Sequence, residues 1–178
     1  SQSTGGVGAA VRRDEASRQR AEQLASLRAD VSETRVVGDV IRHARTMDQA
    51  TAILTILDVL ASSSLSTTVT LTAGRGRGKS AALGLCLAAA IAHGYSNMFV
   101  TSPSPDNVRT LFEFVLKGLD ALGYEEVADW DLQRGTGEWK DTVVRINVFR
   151  GHRQTIQYIQ PQDHAVLSQA ELVVIDEA

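Results

Sequence analysis

The hydrophobic pattern of this chain changes after residue 35. Residues 1–10 are mostly Ser, Gly and Ala, and residues 11–35 are dense in charged and polar side chains, with few apolar residues at helical spacing. This pattern predicts a flexible arm and a solvated helix over residues 1–35, to which we assign no function. Residues 36–178 carry the apolar periodicity of a packed domain, so the folded unit is expected there.

Two amphipathic helices open this unit. Apolar residues recur every three or four positions over 37–44 and again over 52–60. The β-branched segment 68–72 then predicts a strand that leads directly into a glycine-rich loop. After the loop, the Ala- and Leu-rich segment 80–93 predicts a buried helix that ends at Gly94.

The rest of the chain alternates strands with one more helix. A strand is predicted at 97–101, followed by a helix that Ser104 caps, that Pro105 begins and that closes at Gly123. Further strands are predicted at 142–149, 155–159 and 172–175. Because the last strand is continuously apolar, its sheet should be buried on both faces. The sequence therefore predicts an α/β fold with a parallel sheet flanked by helices.

Composition limits the range of functions. The chain has 178 residues, of which 43% are hydrophobic and 22% charged, as in a globular domain. Its formal net charge of -3 argues against nucleic acid bound over the whole surface, so any RNA contact should be local. The single cysteine, Cys86, lies in an apolar segment and is expected to be a buried hydrophobe. The four histidines lack metal-ligand spacing, and no apolar run of 18 or more residues is present, so no membrane-spanning segment and no membrane partner are predicted.

The glycine-rich loop is the strongest chemical signal. Residues 73–80 read Ala-Gly-Arg-Gly-Arg-Gly-Lys-Ser, the P-loop pattern with Ala at its first position. Backbone N–H groups of such a loop face the phosphates, the lysine reaches the outer phosphates and the hydroxyl binds magnesium. We predict ATP and Mg²⁺ here, with Lys79 also catalytic and Ser80 a metal ligand. The predicted nucleotide-binding residues of this region are Ala73, Gly74, Arg75, Gly76, Arg77, Gly78, Lys79, Ser80 and Ala81.

The second half of an ATPase site is an apolar strand that ends in carboxylates. Leu172 begins such a strand, and Asp176 and Glu177 end it. We predict Asp176 as a magnesium ligand and Glu177 as the catalytic residue that orients or deprotonates water.

Two other positions are more ambiguous. Gln49 lies upstream of the P-loop, where helicase-type ATPases keep a glutamine that pairs with adenine, since an amide both donates and accepts. An exposed polar residue at a helix start explains Gln49 equally well. The loop 101–105 follows the second strand and is placed to contact a nucleic-acid backbone, although a helix cap already explains its sequence.

Residues 72–82, 94–105, 111–115 and 145–159 closely resemble the eukaryotic RNA cytidine acetyltransferases, and the likeness extends over roughly 36–178. The resemblance implies a P-loop NTPase domain of the RecA/RecD-like helicase type, truncated after the Asp-Glu strand. It implies a nucleolar parent enzyme that moves acetyl from acetyl-CoA to cytidine N4 of small-subunit (18S) rRNA and tRNA. It also leaves room for a tRNA adaptor protein as a partner.

The acetyl-transfer site is not expected in this chain. The CoA-binding pattern [QR]xxGx[GA] is absent, and in the nearest segment, 134–139, Trp139 fills the final small-residue position. We therefore assign acetyl-CoA to the parent and interpret the chain as a fragment. In helicase-type sheets the next strand inserts between the Asp-Glu strand and the P-loop strand. Without it, we expect two unpaired inner edges and an aggregation-prone piece.

Two alternatives stay open at this point. A terminase-like or other RecD-like DNA translocase shares the P-loop, the small-residue loop after the second strand and the Asp-Glu-Ala ending. A nuclease with clustered carboxylates elsewhere in the protein would favour that alternative, whereas a CoA loop would favour the acetyltransferase. The domain could also bind ATP only as a structural switch.

Overall fold

The computed structural model describes residues 5–62, 69–73 and 78–176. The helices are α1 (Gly5–Val31), α2 (Val37–Ile41), α3 (Met47–Ser62), α4 (Lys79–His93) and α5 (Arg109–Ala121). The strands are β1 (Val69–Ala73), β2 (Asn97–Thr101), β3 (Trp130–Arg134), β4 (Val143–Val148), β5 (Gln154–Ile159) and β6 (Leu172–Asp176). Three short 3-10 segments lie at Pro105–Val108, Gly137–Trp139 and His164–Gln169.

The six strands form one mixed sheet in the order β1-β6-β2-β5-β4-β3. The parallel arrangement predicted from sequence is confirmed for β1, β6, β2 and β5. It is wrong for β4 and β3, which pair antiparallel with their neighbours. The connection between β4 and β5 covers only residues 149–153, which is too short for the crossover that parallel strands need. Strand β3 was not predicted, because it is short and only Trp130 and Leu132 of its five residues are apolar within a polar stretch.

Strands β1 and β6 are direct neighbours. Their parallel register runs from Val69 opposite Leu172 to Ala73 opposite Asp176. The expected gap between these two strands is therefore absent, and the prediction of two unpaired inner edges is wrong. Each strand supplies the hydrogen-bonding groups that the other would otherwise leave unsatisfied.

Helices α3, α4 and α5 enclose the main core with the sheet. Helix α4 is buried from Ala81 to Ile91 and ends at Gly94, whose φ of 99° is the left-handed conformation that favours glycine. This confirms the predicted buried helix and its end. A smaller cluster on the other face joins Phe99 and Val173, which are register partners, to residues near the segment His164–Gln169.

Helix α1 is longer than the sequence suggests, while residues 10–23 are exposed, as predicted for a solvated helix. It begins at Gly5, so residues 5–10 of the predicted arm are helical, whereas residues 1–4 lie outside the described ranges. Leu24 is only 6% exposed and packs into the core, and the Arg28 guanidinium donates a hydrogen bond to the carbonyl oxygen of Ala44. None of the described helices is both long and apolar enough to cross a membrane.

The helix after β2 starts later than predicted. Pro105 begins a 3-10 turn, and the α-helix follows only at Arg109, with Val108 as its N-cap. The carbonyl oxygen of Ser104 accepts a hydrogen bond from the hydroxyl of Ser102 at 2.6 Å. The predicted capping position therefore belongs to the turn between β2 and the helix.

Candidate nucleotide site

Gly78, the last glycine of the predicted P-loop, lies at the start of α4, at the carboxyl edge of the sheet. Gly78 has a φ of 84°, which a residue with a Cβ rarely adopts, and α4 starts at the next residue, Lys79. The carbonyl oxygen of Gly78 accepts the N–H of Ala82 at 3.0 Å and so forms the first bond of the helix. The predicted phosphate-binding residues Gly74, Arg75, Gly76 and Arg77 lie outside the described residues.

The two halves of the predicted site meet between α4 and β6. The Ser80 hydroxyl lies 3.2 Å from a carboxylate oxygen of Asp176, although 96 positions separate the two residues. The contact follows from the sheet, because the pairing of β1 with β6 sets Ala73 opposite Asp176. Asp176 is 2% exposed. A hydroxyl and a carboxylate are oxygen ligands of the kind that Mg²⁺ prefers, so this pair fits the metal predicted here. Glu177 lies outside the described residues.

Lys79 is exposed and lies at a small cavity between α3, β1 and α4. The cavity has a volume of about 210 Å³, and its other lining residues are Ala52, Ile56, Thr72, Ala82 and Leu83. The Lys79 side chain is therefore accessible to solvent. Lys79 directly follows Gly78, whose carbonyl oxygen accepts the first hydrogen bond of α4. Its placement is compatible with an anionic ligand, and its catalytic role stays a prediction.

Gln49 lies beside the end of the P-loop. Its side-chain nitrogen donates to the carbonyl oxygen of Gly78 in a long hydrogen bond of 3.4 Å, and its side-chain oxygen accepts the N–H of Arg45 at 2.8 Å. The Thr46 hydroxyl oxygen also accepts the N–H of Gln49 at 3.1 Å. The Thr-x-x-Gln spacing is that of a helix capping box, a local signal that the sequence analysis missed, but the Gln49 oxygen accepts from Arg45 and not from the N-cap residue Thr46. The predicted pairing of Gln49 with adenine stays a prediction.

The loop after β2 is held by a hydrogen bond from the neighbouring strand β5. Ser102 is 2% exposed, and its carbonyl oxygen accepts the hydroxyl of Tyr158 at 3.0 Å. Burial raises the pKa of Tyr158 above its ordinary value of 10.0, so the hydroxyl remains a donor well above neutral pH. An apolar cavity of about 460 Å³ lies at the same sheet edge, with Pro103, Ile159 and Leu167 among its lining residues. Sequence reasoning missed this cavity because its walls come from segments that are distant in the chain.

Cys86 has no catalytic environment. It is 1% exposed, and burial raises the pKa of its thiol, so the thiolate is strongly disfavoured. This confirms the expected buried hydrophobe.

Comparison with known proteins gives one consistent family. Residues 70–178 match the family described as RNA cytidine acetyltransferase NAT10/TcmA, helicase domain. Over 157 residues, or 88% of the chain, the sequence is 58% identical to an RNA cytidine acetyltransferase of Caenorhabditis elegans. Over the same length it is 54% identical to one of Homo sapiens and 52% identical to one of Saccharomyces cerevisiae. The chain spans about 15% of the length of each of these relatives.

Proposed function

Because the chain belongs to the RNA cytidine acetyltransferase family and matches its helicase domain, we propose that it is the ATP-binding and ATP-hydrolysing module of an enzyme that acetylates cytidine in RNA. The contact of Ser80 with Asp176 is the observation that supports ATP binding and hydrolysis. It joins the hydroxyl of a P-loop sequence to the carboxylate at the end of an apolar strand, the two groups that a P-loop ATPase needs around its metal.

Each residue has a distinct role in this proposal. The backbone N–H groups of residues 74–78 surround the phosphates, and Lys79 balances the charge of the outer phosphates. Ser80 and Asp176 would hold Mg²⁺, which supplies charge neutralisation on the phosphate oxygens. Glu177 orients or deprotonates the attacking water.

The partners of the complete enzyme follow from the family. We propose RNA as the partner, with small-subunit rRNA and tRNA as the specific targets, a tRNA adaptor protein as an accessory and the nucleolus as the location. Acetyl-CoA would bind outside this chain. The family match does not favour a terminase-like DNA translocase.

The test uses the complete gene product and RNA-stimulated phosphate release. Lys79→Ala and Asp176→Asn should weaken ATP binding, and Glu177→Gln should keep binding but lower the hydrolysis rate roughly a hundredfold, as for loss of a group that acts in the transition state. Lys140→Ala removes an exposed lysine from a different part of the fold and is the matched control. Unchanged phosphate release in both Lys79→Ala and Glu177→Gln would rule out ATP hydrolysis at this site.

A further inference from the structure

The side-chain amide of Gln49 faces two backbone groups of opposite character. Its oxygen faces the N–H of Arg45 at 2.8 Å, and its nitrogen faces the carbonyl oxygen of Gly78 at 3.4 Å. Exchange of the amide oxygen and nitrogen would place oxygen against oxygen and N–H against N–H, so the network fixes one orientation. The amide therefore links the start of α3 to the end of the P-loop.

The hydrogen bond to Gly78 connects Gln49 to the predicted nucleotide site. Its carbonyl oxygen also accepts the N–H of Ala82 at 3.0 Å, so one oxygen receives both the first bond of α4 and the amide of Gln49. The fit is close, because a Cβ on residue 78 would lie 2.3 Å from the Gln49 nitrogen. Lys79 and Ser80 follow directly, so the orientation of the Gly78 peptide helps to set where their side chains begin.

We propose that Gln49 is a positioning residue that holds the phosphate-binding end of the P-loop against α3, and that it acts through Gly78 rather than by reading the nucleotide base. This inference rests on the proposed ATP site. Recognition of adenine by an amide needs its donor and its acceptor on the same ligand edge. Here the oxygen already accepts from Arg45 and the nitrogen already donates to Gly78, so only one lone pair and one N–H of the amide remain for any other partner.

Gln49→Glu is the variant that best separates the two contacts of Gln49. Glutamate at residue 49 keeps an oxygen that can accept the N–H of Arg45, and a carboxylate is favourable in the first turn of a helix. It has no N–H to give to Gly78, and it sets an oxygen against the Gly78 carbonyl. The variant thus keeps the start of α3, removes the link to the P-loop and adds a negative charge near the predicted phosphate site. Gln49→Ala removes both contacts without adding charge.

Binding of ATP and GTP to the complete gene product separates positioning from base reading. A positioning residue acts on the phosphates that the two nucleotides share, so Gln49→Glu and Gln49→Ala should each raise both dissociation constants by the same factor, roughly three- to tenfold for one lost hydrogen bond. Weaker binding of ATP with unchanged binding of GTP would identify Gln49 as a base reader and overturn the proposal. Thr51→Glu adds the same charge to an exposed position of α3 and should leave both constants near the wild-type values.

Hydrogen exchange of the nucleotide-free protein tests the link independently of binding. Loss of the bond to Gly78 should speed amide exchange at the start of α4, where Ala82 donates to the same carbonyl. If wild-type protein binds neither nucleotide but exchange at Ala82 rises in Gln49→Glu, the proposed ATP function fails and the link stands. If wild-type protein binds ATP, and neither affinity nor exchange changes in Gln49→Glu and Gln49→Ala, the inference about Gln49 fails alone.

Discussion

At the scale of single residues, Gln154 shows how the core accommodates a polar side chain. It is 3% exposed at the start of β5, and its amide nitrogen donates to the carbonyl oxygens of Ile91 and Tyr95, each at 2.8 Å. Both acceptors belong to the region where α4 ends, which leaves carbonyl groups without helical partners. The buried amide thus joins the sheet to the end of the most buried helix.

Gln154→Ala should lower the free energy of unfolding by about 2–4 kcal/mol, because it leaves buried carbonyl groups without this donor and opens a cavity. Urea unfolding followed by tryptophan fluorescence measures the change, with the largely buried Trp130 as a probe. Gln162→Ala removes an exposed glutamine and should change stability by less than about 0.5 kcal/mol. Equal effects of the two substitutions would contradict the role of Gln154.

At the scale of elements, the packing of α4 on α5 depends on two glycines. A Cβ on Gly84 would lie 2.3 Å from the carbonyl oxygen of Leu111, and a Cβ on Gly118 would lie 2.5 Å from the Cβ of Ala88. Neither contact is compatible with the observed helix separation. The apolar periodicity of the two helices predicts that they are buried, but only their packing explains why these positions lack side chains.

Gly84→Ala should therefore destabilise the protein by about 1–3 kcal/mol, although alanine forms helices better than glycine. Gly8→Ala in α1 is the matched control, because a Cβ there meets nothing within 4 Å. It should be neutral or stabilise by up to about 1 kcal/mol through helix propensity alone. Thermal unfolding of both variants measures the contrast, and a stabilised Gly84→Ala protein would argue against this packing of α4 on α5.

At the scale of the whole molecule, the region around His43 brings together charges from two helices, α1 and α5, and from the turn after α2. Burial lowers the pKa of His43 from its ordinary value of 6.5, and the positive charges of Arg42, Lys117 and Arg28 lower it further against the opposing effect of Asp120. The folded protein thus favours neutral His43. The effect needs the assembled domain, because Lys117 and Asp120 lie on α5 and Arg28 lies on α1.

This arrangement predicts a loss of stability in mild acid. The unfolded chain protonates His43 near pH 6.5, whereas the folded chain does so only at lower pH. The free energy of unfolding should therefore fall as the pH drops below about 6.5 and continue to fall until the folded pKa is reached. Urea unfolding at pH 7.5, 6.5 and 5.5 measures this, and His43→Gln should lose less stability over that range than the wild-type chain. Parallel profiles for the two proteins would contradict the prediction.

The sequence by itself determined the local features of this protein. The residue types and their spacing over a few positions predict a β-branched strand, a glycine-rich loop and a buried helix that ends at Gly94. The family was recognisable from short segments. The sequence also assigned Ser80 and Asp176 to one metal site. The tertiary structure decided which strands pair: it joined β1 to β6 without a gap and set the Ser80 hydroxyl 3.2 Å from Asp176. It also gave Gln49 its two backbone partners. The physical reason is that side-chain periodicity specifies which face of a strand or helix is buried. It does not specify which strand lies beside which. That depends on the length of the connections and on backbone hydrogen-bonding groups, which are nearly the same in every residue.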